Sequence, residues 1–177
     1  MLGAATSSVR RVGALCTLAG RCVHTEARIA QMGLTLPEPS SPKGSYISCT
    51  PLGDTVIMTA GHLPFDPSTG ELMTGKVGDD CTVEDGAKAA SHVALGLLST
   101  LKKELGDLDR IKRVVKLVGF VNCVDGFAQQ PQVINGASDL IGEILQERGV
   151  HARSAVGTNA LPLNVPVEIE AIIEIEK

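Results

Sequence analysis

Near the C-terminal end of this 177-residue sequence stand residues whose types could act on a small molecule. Arg153 lies in an apolar, small-residue run, Ala152-Arg-Ser-Ala-Val-Gly157, where a guanidinium needs a reason. Its planar fork of donors matches a carboxylate in two parallel hydrogen bonds. Glu168 and Glu170 follow in a second run, Val165-Pro-Val-Glu-Ile-Glu-Ala-Ile172, and a glutamate so placed can position or activate a water. The two runs read as strands joined by a turn, which would set the arginine beside a carboxylate on the adjacent strand. The plain alternative is a cross-strand Arg–Glu pair, common at surfaces and worth about 1 kcal/mol or less. His151 and Ser154 are also close in sequence, but strand geometry does little to make them a Ser–His nucleophile pair.

The elements that must carry these residues follow from hydropathy. From Val165 on, the odd positions are apolar and the even ones mostly acidic, with Ile172 the exception, which predicts a strand with one face in a core. Short strands are expected over Tyr46–Thr50 and Thr55–Thr59, with a third over Leu72–Val77. Thr82 caps a helix whose apolar residues recur three or four apart as far as Leu105, before Gly106. Ile111–Val121 is a long strand that alternates at first and then turns apolar on both faces, so its end is covered from both sides. With helices on one face, a second chain must cover the other, which predicts an oligomer. Pro131 opens a second helix that runs to Gly149. The order β-β-(β)-α-β-α-β-β predicts an α+β fold, a mixed sheet with two long helices on one face.

Composition narrows the chemistry. The net charge is −4, and three Phe, one Tyr and no Trp leave little for base stacking, so nucleic acid is not an expected partner. Five Cys without paired spacing read as buried thiols, not as a disulfide framework or a zinc site. No Gly-rich phosphate loop, HExxH or CxxC occurs, so neither a metal nor a cofactor is expected. His92 falls inside the first long helix with no second ligand at helical spacing. No stretch is long and apolar enough to span a membrane.

Residues 1–25 contain Arg10, Arg11 and Arg21 and no acidic residue, the composition of a mitochondrial targeting peptide, which would place the protein in the matrix. A secretory signal and a cytoplasmic location are the alternatives. Residues 26–44 read as an extension, with Ala27–Leu34 a short helix or arm and Pro37–Pro42 a linker, and residues 45–177 as the domain.

Larger motifs carry a resemblance. Ile57-Met-Thr-Ala-Gly-His-Leu-Pro64, Gly119-Phe-Val-Asn122, Phe127-Ala128, Ala152-Arg-Ser-Ala-Val156, Leu161-Pro-Leu163 and Val165–Ile172 together resemble the reactive-intermediate deaminase family. This is the RidA/YjgF group, also labelled L-PSP endoribonuclease. The resemblance implies a chorismate-mutase-like fold and a homotrimer with sites at subunit interfaces. It implies cofactor-free hydrolysis of enamines and imines, of the 2-aminoacrylate or 2-iminobutanoate type, to 2-keto acids and ammonia. Arg153 would then hold the substrate carboxylate and Glu168 position the water. Tyr46 would close the pocket, Asn135 would line it, and Ala60, Gly61 and Ala155 would complete the substrate contacts. Ala155 stands where many relatives have Cys, Ala60 where many have Ser, and His62 where many have Gln. The sequence is most similar to a branch with Val133-Ile-Asn-Gly-Ala-Ser-Asp139 and His151-Ala-Arg-Ser-Ala-Val-Gly157, for which the resemblance supplies no substrate. An endoribonuclease and a non-catalytic binder of small carboxylates are the alternatives.

Overall fold

The computed structural model describes residues 24–42 and 44–177. Its strands are β1 (Cys49–Pro51), β2 (Val56–Thr59), β3 (Ile111–Asn122), β4 (Ala152–Thr158) and β5 (Val167–Ile175), and its helices α1 (Thr25–Gln31), α2 (Val83–Leu105) and α3 (Gln130–Leu145). The strands form one mixed sheet in the order β1-β2-β5-β3-β4, with α2 and α3 against one face, as the hydropathy pattern predicts.

The two C-terminal strands are not neighbours. β4 pairs in parallel with β3, while β5 lies between β2 and β3, antiparallel to both. Burial explains the choice. Val167, Ile169, Ala171 and Ile173 of β5 are almost completely buried, which suits a central strand, whereas every residue of β4 is at least partly exposed, which suits an edge. The helix α3 makes the crossover that a parallel β3–β4 pair requires. The expectation of a closing hairpin therefore fails, because alternation reports which face a residue takes and not which strand lies alongside.

Both long helices begin as their sequences dictate. Thr82 and Asp85 form a reciprocal cap on α2, each side chain accepting the other's backbone N–H at 3.1 and 3.2 Å. Gly106 ends α2 in the left-handed region at φ 79°. The helix α3 stops short of Gly149: Gln146 takes φ 58°, and Gln146–Gly149 form a 3-10 turn. On the other face of β3, Lys116, Val118 and Phe120 are half-exposed, and nothing among the described residues supplies the second cover that their sequence predicts.

The N-terminal extension docks on the helices. Thr25 is buried, and its backbone N–H and hydroxyl both donate to Asp109 Oδ1, at 3.0 and 2.6 Å. Arg28 donates to the Ile144 carbonyl at 2.7 Å, and Glu26 pairs with Lys102. The leader expected over residues 1–25 lies outside the described residues except for His24 and Thr25. Two short strands are smaller than expected: β1 begins only at Cys49, and Leu72 and Val77 make only isolated bridges, Leu72 to Phe65 and Val77 to Cys81 and Cys123. The described cysteines Cys49, Cys81 and Cys123 are free and buried, and burial pushes the thiols of Cys49 and Cys81 up to about 11.

Candidate functional site

Arg153 lies on the helix side of the edge strand β4, in register with the buried Leu117. Its guanidinium reaches α3, where Nη1 donates to Asn135 Oδ1 at 2.9 Å and to Ser138 Oγ at 3.0 Å, and Nη2 donates to the Pro131 carbonyl at 3.3 Å. Pro131, Asn135 and Ser138 are four and three residues apart, so they make one polar stripe beside the apolar stripe of Val133, Ile134, Ala137 and Ile141. Ala155, two residues further along β4, faces the same way and packs on the core. Among the described residues Arg153 has no carboxylate partner. Its positive charge is held by neutral acceptors alone.

Glu168 belongs to a second group of residues. It pairs in register with Phe120 on the face turned away from the helices, between the buried Val167 and Ile169. Gly61, at the end of β2, lies directly against it: a Cβ on Gly61 would come within 1.9 Å of Glu168 Oε1. Burial, reinforced by the neighbouring Glu170, raises the Glu168 carboxyl above the usual glutamate range, and no cation among the described residues offsets this. Tyr46, Ala60, Gly61 and His62 line one small pocket with Ser48 and Phe65, with room for about 30 Å³. It shares His62, Leu63 and Phe65 with a larger cleft of about 460 Å³ that reaches His92.

His62 is the residue that sets this second group and that sequence reasoning did not single out for it. It is buried, and its Nδ1–H donates to the Ala60 carbonyl at 2.9 Å, because a carbonyl can only accept. Nε2 then accepts from the Thr100 hydroxyl of α2 at 2.8 Å. Burial lowers its pKa against the Ala60 hydrogen bond, so the ring stays neutral and ties the Ala60–Gly61 turn to the helix layer.

The expected site residues thus fall into two clusters, Arg153, Asn135 and Ala155 in one and Tyr46, Ala60, Gly61 and Glu168 in the other. The strand β3 separates them, and the Arg153 and Glu168 side chains lie on opposite faces of the sheet. A cross-strand pair between Arg153 and Glu168 or Glu170 is excluded within one chain. So is a Ser154–His151 pair, since His151 Nε2 meets Ser138 Oγ at 3.1 Å while Ser154 is in register with Val118 on the other face. His92 is half-buried in α2, as its helical setting predicts. Among the described residues the acidic groups close enough to share a metal ion are Glu26, Asp107 and Asp109, at the α1 docking point and already engaged by Lys102, Thr25 and backbone amides.

Three relatives bear on what this arrangement does. Residues 26–174 match the family model described as "YjgF/chorismate_mutase-like, putative endoribonuclease". Protein TCP17 of Trypanosoma cruzi is 42% identical over 150 residues, 84% of this chain and 92% of that protein. The crystal structure of the protein Atu1372, of unknown function, from Agrobacterium tumefaciens superposes with a TM-score of 0.77 at 42% identity, covering 86% of this chain and 94% of that one. A 2-iminobutanoate/2-iminopropanoate deaminase of Dermatophagoides farinae is 28% identical over 143 residues, 81% of this chain and 95% of that protein.

Proposed function

Since the chain belongs to the YjgF/chorismate-mutase-like family, we propose that it hydrolyses small carboxylate-bearing imines and enamines to 2-keto acids and ammonia. The observation that carries the reading is Arg153, a cation fixed by three neutral acceptors at the edge of the sheet and, among the described residues, left without a carboxylate. A substrate carboxylate supplies the missing partner in the two-bond geometry that a guanidinium prefers. The deaminase of Dermatophagoides farinae supports the same substrate class.

The reaction needs the substrate, a water and Glu168. An enamine first takes a proton from solvent on carbon and becomes the iminium ion, the protonated form of the imine. Glu168, as carboxylate, accepts a proton from the water while the water oxygen adds to the C=N carbon. Glu168 returns this proton to the nitrogen of the carbinolamine, the C–N bond breaks and ammonia leaves, and the hydroxyl proton passes to the freed Glu168 carboxylate as the C=O bond of the 2-keto acid forms. Glu168 is half-buried with its pKa raised, so it binds and gives up this proton more evenly than an exposed glutamate does.

The two clusters cannot meet inside one chain, so the complete site takes Arg153, Asn135 and Ala155 from one protomer and Glu168, Gly61, Ala60 and Tyr46 from the next. The half-exposed Lys116, Val118 and Phe120, with Met58 40% exposed beside them, give the sheet face on which protomers pack, in a closed trimer. The acid-poor residues 1–25 support import into mitochondria.

The test is release of 2-keto acid when a threonine dehydratase generates 2-iminobutanoate in place. No acceleration over solvent defeats the proposal, and binding of a carboxylate without turnover leaves a binding module. Cleavage of RNA that co-purifies with the protein and survives Arg153→Ala would instead favour the endoribonuclease. Mixing decides the shared site: co-expressed Arg153→Ala and Glu168→Gln chains restore about a quarter of the sites by random assembly, where a site within one chain restores none.

A further inference from the structure

Arg153 is one end of a chain of hydrogen bonds whose direction, with a neutral His151 ring, is set at the far end. His151 Nδ1 lies 2.5 Å from the Gly149 carbonyl, which can only accept, so Nδ1 carries the proton. In the neutral ring Nε2 is then an acceptor, and the Ser138 hydroxyl, 3.1 Å away, donates to it. That orientation turns the oxygen lone pairs of Ser138 toward Arg153 Nη1, 3.0 Å away. The carbonyl at the far end is itself immobile, because Gly149 packs on α3 so closely that a Cβ there would fall 2.5 Å from the Ile141 carbonyl oxygen.

We propose that Ser138 and His151 are positioning residues that fix the Arg153 guanidinium so that one edge of it, Nε and Nη2, is presented to the substrate carboxylate. With Asn135 and Ser138 taking both Nη1 protons and Pro131 taking one of Nη2, Nε makes no hydrogen bond among the described residues. That leaves two parallel donors on one side, the fork a carboxylate fits. Without the relay a serine hydroxyl turns freely and can offer Nη1 a proton in place of a lone pair. A neutral histidine of fixed tautomer removes that freedom. The proposal rests on Arg153 being the carboxylate clamp of the function proposed above. It concerns a pair that acts through the arginine and does not touch substrate.

The experiment measures KM and kcat for 2-iminobutanoate, and Kd for 2-oxobutanoate by calorimetry, in Ser138→Ala, His151→Leu, His151→Gln and the double Ser138→Ala/His151→Leu. Each of the first two is expected to raise KM and Kd about five- to tenfold with kcat nearly unchanged, the mark of lost uniform binding. The double variant is expected to be no worse than Ser138→Ala alone, because both act through one bond to Arg153. His151→Gln, whose amide can accept from Ser138, is expected to recover most of the affinity. Unchanged KM and Kd in the single variants, or a double variant whose loss is the product of the two, overturns the relay. If the wild type turns over no imine yet binds 2-oxobutanoate, the deaminase reading fails while the Kd series still decides the relay. A wild type that binds no 2-oxobutanoate overturns the relay and the clamp together.

Discussion

Arg153 and Glu168 face away from each other: β3 runs between their strands, and the guanidinium lies on the helix-covered face while the carboxylate lies on the opposite one. Two residues that sequence places 15 apart are thus kept from neutralising one another. Each retains an unbalanced electrostatic state, a cation without an anion among the described residues and a carboxyl with a raised pKa, that an ordinary surface pair would cancel.

Replacing the arginine separates charge from shape. Arg153→Lys keeps the charge but loses the fork and the simultaneous grip on Asn135, Ser138 and Pro131, so KM for 2-iminobutanoate is expected to rise about tenfold. Arg153→Ala is expected to lower kcat/KM about a hundredfold. Steady-state kinetics with circular dichroism to verify the fold distinguishes these outcomes from unfolding, and a Lys variant equal to wild type would remove the fork from the argument.

Gly61→Ala tests the close approach to the carboxylate. The added methyl meets only the flexible end of Glu168, which can swing aside, so melting temperature is expected to change by no more than about 2 °C. Activity is expected to fall about a hundredfold, since a displaced glutamate no longer aims at the water. A variant that keeps its activity would show that Glu168 need not sit against Gly61.

The raised pKa of Glu168 gives a pH signature. Because burial and Glu170 both raise Glu168, the acid limb of activity is expected at a higher pH than an exposed glutamate would give, and Glu170→Gln is expected to move that limb to lower pH. The same shift affects folding. The folded state holds the proton more tightly, so stability is greatest below the unfolded value of 4.5 and declines as pH rises through the folded pKa. Glu168→Gln is therefore expected to raise the melting temperature at pH 7 by about 1–3 °C and not at pH 4. A pH–rate profile that Glu170→Gln leaves in place would count against this account.

Asp109 governs the N-terminal helix. Burial pushes its carboxyl up, but donors from Thr25 and His24 outweigh it and hold the pKa at about 2. Its contribution is present above the unfolded value of 3.8 and is lost as pH falls toward 2. Asp109→Asn is expected to speed amide exchange across Thr25–Gln31, leave α2 and α3 protected and lower the melting temperature by about 2–4 °C. Exchange that rises uniformly over the chain would mean that α1 is not a separable unit.

Much of this was legible in order of how local the signal is. The Thr82 cap, the α2 stripe and the period of two in β5 are written in neighbouring residues, and the structure contains them as read. The apolar second face of β3 was legible too, since Val118 and Phe120 interrupt an alternation that a wet strand would keep. The neighbours of β5 were not, because side-chain alternation carries no information about partners. Nor was the Ser138–His151 contact, which spans 13 residues and exists only once α3 has folded back to deliver β4 beside β3. A search for polar residues at helical spacing next to the apolar stripe would have found Asn135 and Ser138 together.

The position of β5 has a consequence for how the protein comes into being. It follows every other strand in the chain yet occupies the space between β2 and β3. Until it emerges during synthesis, β2 and β3 each present an unpaired apolar ladder, and the β2–β5 contacts that close the sheet join residues more than a hundred positions apart, such as Val56 and Glu174. Closure of the sheet is therefore a late event, even though β1 with β2 and β3 with β4 can pair before it.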